Sequence, residues 1–180
     1  MRWRQRIFNE IAAADDRQMR TWFCTLTFSE LHLTGIHLQG VKRAAVRGVP
    51  VHEAVEWCAY QEVALFFKRL RKRLGKRAAF RYVVVPEYGE LHGRLHYHVL
   101  LHETSGVVLY RDICECWRNG FAQAKLVECE STRGMSGVAS YVSKYIAKAL
   151  SHRVRPSSFY GEAGTGSPVR RKRRKAAARA

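Results

Sequence analysis

Two histidines one residue apart, in His96-Tyr97-His98, are the side chains best placed to do chemistry. On a strand side chains alternate, so both imidazoles share one face while Tyr97 enters the opposite layer. At a rise of about 3.3 Å per residue their Cβ atoms stand about 7 Å apart, close enough to converge on one ion. Imidazole binds transition metals, and it also serves where a carboxylate and water complete the shell. The blander use is a pair of strand histidines hydrogen-bonded to backbone. Glu87 argues for the ion. If the segments flanking Gly89 to Gly93 form a symmetric hairpin, Glu87 faces His96 across it, on the same face. A salt bridge to Arg94 or Arg81 is the competing use of that carboxylate. Glu90 and His92, in the turn, are alternative third ligands; His102 stands two strand steps beyond His98.

A second constellation is Tyr141, Lys144, Tyr145 and Lys148. The segment 138–150 reads as a helix, with Val138, Val142, Ile146 and Ala149 as its apolar stripe. The tyrosines and lysines form another stripe, roughly 120° away at 100° per residue. They need not be core residues, although one tyrosine packed at the core edge with solvated lysines is the plainer reading. A phenol can attack a phosphodiester and become linked to the phosphate. With a free pKa near about 10 it needs help at neutral pH. A divalent ion can polarise the phosphate, and Lys144 or Lys148 can hold it or favour phenolate.

The elements that must position these groups follow from periodicity. Thr21–Phe28 is rich in aromatic and β-branched residues and predicts a strand. Phe80–Pro86, Leu95–His102 and Phe121–Glu128 predict three more, the first two joined as a hairpin. From Val51 or His52 to Leu74 apolar residues recur at helical spacing, with Gly75 as the stop; Arg111–Trp117 is a short helix. Leu31–Pro50, with three glycines, a proline and no clear period, reads as a loop. The order predicts a split βαβ unit of α+β class, with helices on one face of an antiparallel sheet and the other face free for a ligand. Three regions are expected: an arm or short helix over 1–20, a catalytic domain over 21–151, and a basic, disordered tail over 152–180.

The chain of 180 residues has 32 Lys+Arg against 15 Asp+Glu, a net charge of +17. Lys68, Arg69, Arg71, Lys72, Arg73, Lys76, Arg77 and Arg81 form one block without an acid, and Arg170 to Lys175 with Arg179 another. Such blocks favour nucleic acid as partner over a merely solvated basic face. The first block up to Arg77, with Arg94, supplies the candidate DNA contacts. A nuclear localisation signal is the competing reading of the tail. No apolar run approaches the roughly 20 residues that span a bilayer, and no secretory signal opens the chain, so a cytoplasmic protein with no membrane partner is expected. Cys24, Cys58, Cys114, Cys116 and Cys129 form no CxxC pair and read as reduced thiols. No P-loop is present, which argues against an in-chain helicase.

Glu87-Tyr88-Gly89 followed by Gly93-Arg94-Leu95-His96-Tyr97-His98-Val99-Leu100 resembles the metal motif of the HUH endonucleases. Tyr141-Val142-Ser143-Lys144-Tyr145-Ile146-Ala147-Lys148 resembles their two-tyrosine helix, and Thr25-Leu26-Thr27 their first motif. The likeness covers about Thr21 to Ser151 and is nearest to the rolling-circle replication initiators of small single-stranded DNA, microvirus-like bacteriophages and related plasmids. It implies an RRM-like sheet of about five antiparallel strands. It implies Mg²⁺ or Mn²⁺ on His96, His98 and Glu87, and Tyr141 and Tyr145 as alternating nucleophiles on a single-stranded DNA origin in a bacterial host cell. The chain is short for a phage initiator, so a host helicase and polymerase are expected partners. A transposase or relaxase shares the chemistry, and a non-catalytic RRM-like nucleic-acid-binding module is the alternative of another class.

Overall fold

The computed structural model describes residues 3–89, 94–127 and 154–162. Along the chain these form α1 (Trp3–Asp15), β1 (Thr21–Phe28), α2 (Glu30–Arg47), α3 (Val51–Leu74), β2 (Ala79–Tyr88), β3 (Leu95–Ser105), α4 (Tyr110–Cys116), β4 (Gly120–Leu126) and β5 (Arg155–Pro156). The five strands make one sheet in the order β4-β1-β3-β2-β5, antiparallel at every pairing. The first four strands have the order of a split βαβ unit, and the α+β expectation holds. The helix expected at 138–150 lies outside the described residues.

Alternation decides what each strand buries. Trp22, Cys24, Leu26 and Phe28 of β1 point to one face and join Tyr97, Val99 and Leu101 of β3 beneath Phe66, Phe67 and Leu70 of α3. Phe67 stacks on Tyr82 at 3.5 Å between ring centroids, and Trp117 meets Phe28 edge-on at 5.0 Å. Arg73 and Arg77 both reach the buried carboxylate of Asp112, tying the end of α3 to α4.

Three expectations are corrected. The stretch Leu31–Pro50 is no loop: nearly all of it lies in α2. Ser29 caps the helix by accepting from the His32 backbone N–H, and Gly48 ends it in the left-handed region. Its buried stripe is only Ile36, Gly40 and Ala44. Gly40 is required by closeness: a Cβ there would stand 2.4 Å from Cγ2 of Val55 on α3.

The second sheet face is not free over its whole extent. Ile7 and Ile11 of α1 pack on Val83, Val85 and Leu100 with Tyr160, forming a second small core. Nor is the start of the expected tail disordered. Residues 155–156 pair with β2, and the Tyr160 hydroxyl lies 2.9 Å from Nε2 of buried His102. Residues 163–180 lie outside the described residues. Among the described residues, no helix is long and apolar enough to cross a membrane, and Cys24, Cys58, Cys114 and Cys116 are free thiols.

Candidate metal centre

The hairpin pairs Glu87 with His96 and Val85 with His98, so the anticipated register is the observed one. Glu87, His96 and His98 project from the second face of the sheet, next to the Val83, Val85 and Leu100 that α1 covers. One carboxylate oxygen of Glu87 lies 3.0 Å from Nε2 of His96 and 2.5 Å from Nε2 of His98. All three candidate ligand atoms lie within 4.8 Å of one another. The competing use of Glu87 is not taken up: Arg81 binds Glu10 instead, at 3.0 Å. Glu90 and His92 lie outside the described residues. His102 faces Thr21 and Tyr160, away from the cluster.

The far nitrogens show how the rings are aimed. Nδ1 of His96 lies 3.1 Å from the Arg94 carbonyl oxygen, which can only accept. Nδ1 therefore carries a proton, which leaves Nε2 as the nitrogen turned to the Glu87 oxygen and available to a metal ion. Nδ1 of His98 lies 3.3 Å from Oγ1 of Thr25, and the ring stacks on Phe23 at 5.3 Å between centroids. Burial lowers the His98 pKa, while the hydrogen bond and charge of Glu87 pull it up. Two imidazole nitrogens, each ring aimed by its own partner, and a carboxylate oxygen fit a divalent cation with positions left over for water or phosphate.

Thr25, in the segment already singled out as resembling a family motif, and Phe23, which no motif marks, gain contacts here that the sequence does not announce. Only their parity is visible, opposite to that of Cys24 and Leu26, and strand order decides which neighbour they touch. Thr27 pairs with His96 on one side and Phe121 of β4 on the other.

The basic block is not brought to this cluster. Glu56, near the start of α3, accepts from the Tyr88 hydroxyl at the metal end of the hairpin. Lys68 to Arg77 begin about 18 Å further along the helix, at 1.5 Å per residue. There Arg73 and Arg77 are engaged by Asp112, Arg71 lies over Phe80 and Tyr82, and Arg69 is half-buried. Lys68, Lys72 and Lys76 are exposed. Of the candidate DNA contacts, Arg94 alone adjoins the cluster; its carbonyl also accepts from the Gly89 N–H. Tyr141, Lys144, Tyr145 and Lys148 lie outside the described residues.

A family model for replication-associated proteins of the ORF2 kind matches residues 21–150, which contain the whole cluster. No curated protein and no solved structure matches the chain.

Proposed function

Because this chain belongs to that family of replication-associated proteins, we propose that it is a rolling-circle replication initiator that nicks single-stranded origin DNA and rejoins the ends. The observation that carries this reading is the convergence of Glu87, His96 and His98 on one point of the second sheet face. Those three residues would hold Mg²⁺ or Mn²⁺, which supplies charge neutralisation on a phosphate oxygen and makes the phosphorus more electrophilic.

The nucleophile is assigned to Tyr141 or Tyr145. They are spaced one helical turn apart in the sequence pattern, about 6 Å along a helix axis. The phenol oxygen attacks the phosphorus, its proton passing to solvent. A P–O bond to tyrosine forms, the bond to the 3′-oxygen breaks, that oxygen takes a proton from solvent, and the DNA departs with a free 3′-hydroxyl. The 5′-phosphotyrosine retains the bond energy, so a later 3′-hydroxyl can reverse the step without ATP. Lys144 and Lys148 share the tyrosines' stripe in the sequence pattern and would hold the phosphate. Two nucleophiles let the protein cut again while still bound to the first product, which favours an initiator over a transposase or relaxase. A host helicase and polymerase would extend the freed end, in the cytoplasm of a bacterial host.

The test is a metal-dependent covalent adduct with an origin oligonucleotide, resolved on a denaturing gel and mapped by mass spectrometry. The adduct is expected on Tyr141 or Tyr145. Either single Tyr→Phe variant should fail to complete the cut-and-rejoin cycle efficiently, and the double variant should form no adduct. Replacing His96 and His98 by Ala together should abolish cleavage while DNA still binds. An adduct on Tyr110, Tyr160 or a serine would overturn the assignment of the nucleophile. DNA binding with no adduct under any metal would leave a non-catalytic RRM-like module.

A further inference from the structure

The second face of the sheet carries more than the metal ligands. Glu87, His96, Thr27 and Phe121 form one straight cross-strand row through β2, β3, β1 and β4. Val85, His98, Thr25 and Gln123 form the next, and Val83, Leu100, Phe23 and Lys125 the third. On the β2 side the third row is buried under α1 and Tyr160. On β4 the outward side chains of all three rows are exposed, and Phe121 is 67% exposed. A large ring left open on an otherwise polar strand face costs solubility without helping the core, since Ala122 and Ala124 are the residues of β4 that face inward.

We propose that the outward face of β4 is a single-strand DNA track leading to the metal cluster, with Phe121 as a base-stacking platform and Lys125 as a backbone contact. The proposal rests on the reading of the cluster as the nicking site. Adjacent strands lie about 4.8 Å apart, so Phe121 stands about 10 Å from His96 along its row. That is about three nucleotides at the 3.4 Å rise of a stacked strand, and fewer in an extended one. A base on Phe121 therefore sets how far the strand runs before its phosphate meets Glu87, His96 and His98. Lys125 stands about 13 Å along β4 from Phe121, on the same side. Among the described residues Lys125 makes no ion pair, and no acid shares the face of β4. Gln123, between them, offers an amide donor and acceptor. An aromatic platform with a cation alongside and no shape-selective cleft is the chemistry of sequence-tolerant single-strand binding. The molecule's charge of +17 suits a polyanion rather than an added protein strand at this edge.

The experiment uses the full chain and a fluorescein-labelled oligothymidylate 20-mer, followed by anisotropy across a salt series. Phe121→Leu, which keeps apolar cover but removes the stacking ring, should weaken binding about tenfold, and Phe121→Trp should restore it. Lys125→Gln should lower the slope of log affinity against log salt by about 0.7, one single-strand phosphate contact. Manganese affinity should stay unchanged in all three. Wild-type affinity in Phe121→Leu, or an unchanged salt slope in Lys125→Gln, overturns the track even if the protein nicks DNA. Loss of affinity in these variants, with no covalent adduct from the wild type, supports the track and removes the nicking reading.

Discussion

Each imidazole of the cluster is aimed by what its far nitrogen touches. A carbonyl fixes the tautomer of His96, and a threonine hydroxyl steadies His98. Removing such an outer partner commonly costs a metal site 10- to 100-fold in affinity, a general range of about 1.4–2.7 kcal/mol. Thr25→Val keeps the shape of the side chain and loses the hydroxyl. Titration calorimetry with Mn²⁺ should show a loss of about tenfold or more, with the protein still folded. Equal affinity in the variant would mean that Phe23 and the strand backbone orient His98 unaided. Glu87→Gln should cost more, because it removes the carboxylate charge from the point where both Nε2 atoms converge.

Helices α2 and α3 pack through a glycine, and this explains why α2 is hard to read in sequence. Gly35 and Gly40 each weaken helical propensity by about 1 kcal/mol relative to Ala. Exposed Leu31, Leu38, Val41 and Val46 blur the apolar period. The helix exists because Ser29 caps it and because Gly40 lets its backbone approach Val55 closely. Gly40→Ala would raise intrinsic helix propensity yet set a methyl 2.4 Å from a Val55 methyl and 2.8 Å from its Cα. The clash should win, lowering unfolding free energy by about 1–3 kcal/mol in a urea titration. A stabilised variant would show that the two helices separate without penalty.

At the scale of the whole molecule, the β2–β3 part of the second face is covered by α1 and by residues 154–162, which meet at a buried polar cluster. Glu10 accepts from Arg81 and from the Gly161 N–H, while His102 lies between Thr21 and Tyr160. Burial pushes the His102 pKa down to about 3, with Arg81 adding to the effect. The folded protein therefore keeps His102 neutral, whereas the unfolded chain protonates it below about pH 6.5. Above that pH both states are neutral and the group contributes no pH dependence. As pH falls from about 6.5 towards 3, the unfolded state gains the proton and stability drops by up to about 1.4 kcal/mol per unit. His102→Gln should lower overall stability but flatten its pH slope between about pH 4 and 6 by up to one proton. An unchanged slope would show that His102 titrates normally. At the same scale, removing residues 170–180 takes away seven basic side chains. Single-stranded DNA binding should weaken with little sequence preference and a shallower salt slope. An unchanged slope would make the tail a solvated appendage.

The local alternation of His96, Tyr97 and His98 and the two-glycine turn after Glu87 are enough to place three candidate ligands on one face. Hairpin register is a short-range property, set by the turn and the parity of its strands. Strong periodicity likewise places β1 at its observed bounds, Thr21–Phe28, and α3 to within a residue of its own, Val51–Leu74. Contacts between distant segments are not legible. That Thr25 steadies His98, that Phe121 shares a row with His96, and that Arg73 and Arg77 turn to Asp112 all depend on strand order and helix placement. The covering of the second face depends on Ile7, Ile11 and Tyr160, which lie far along the chain from the strand residues they bury. Sequence carries the period of each element, because sterics and burial act within a few residues. Which faces meet is decided by packing the whole chain, because a buried face has no partner until another element supplies one.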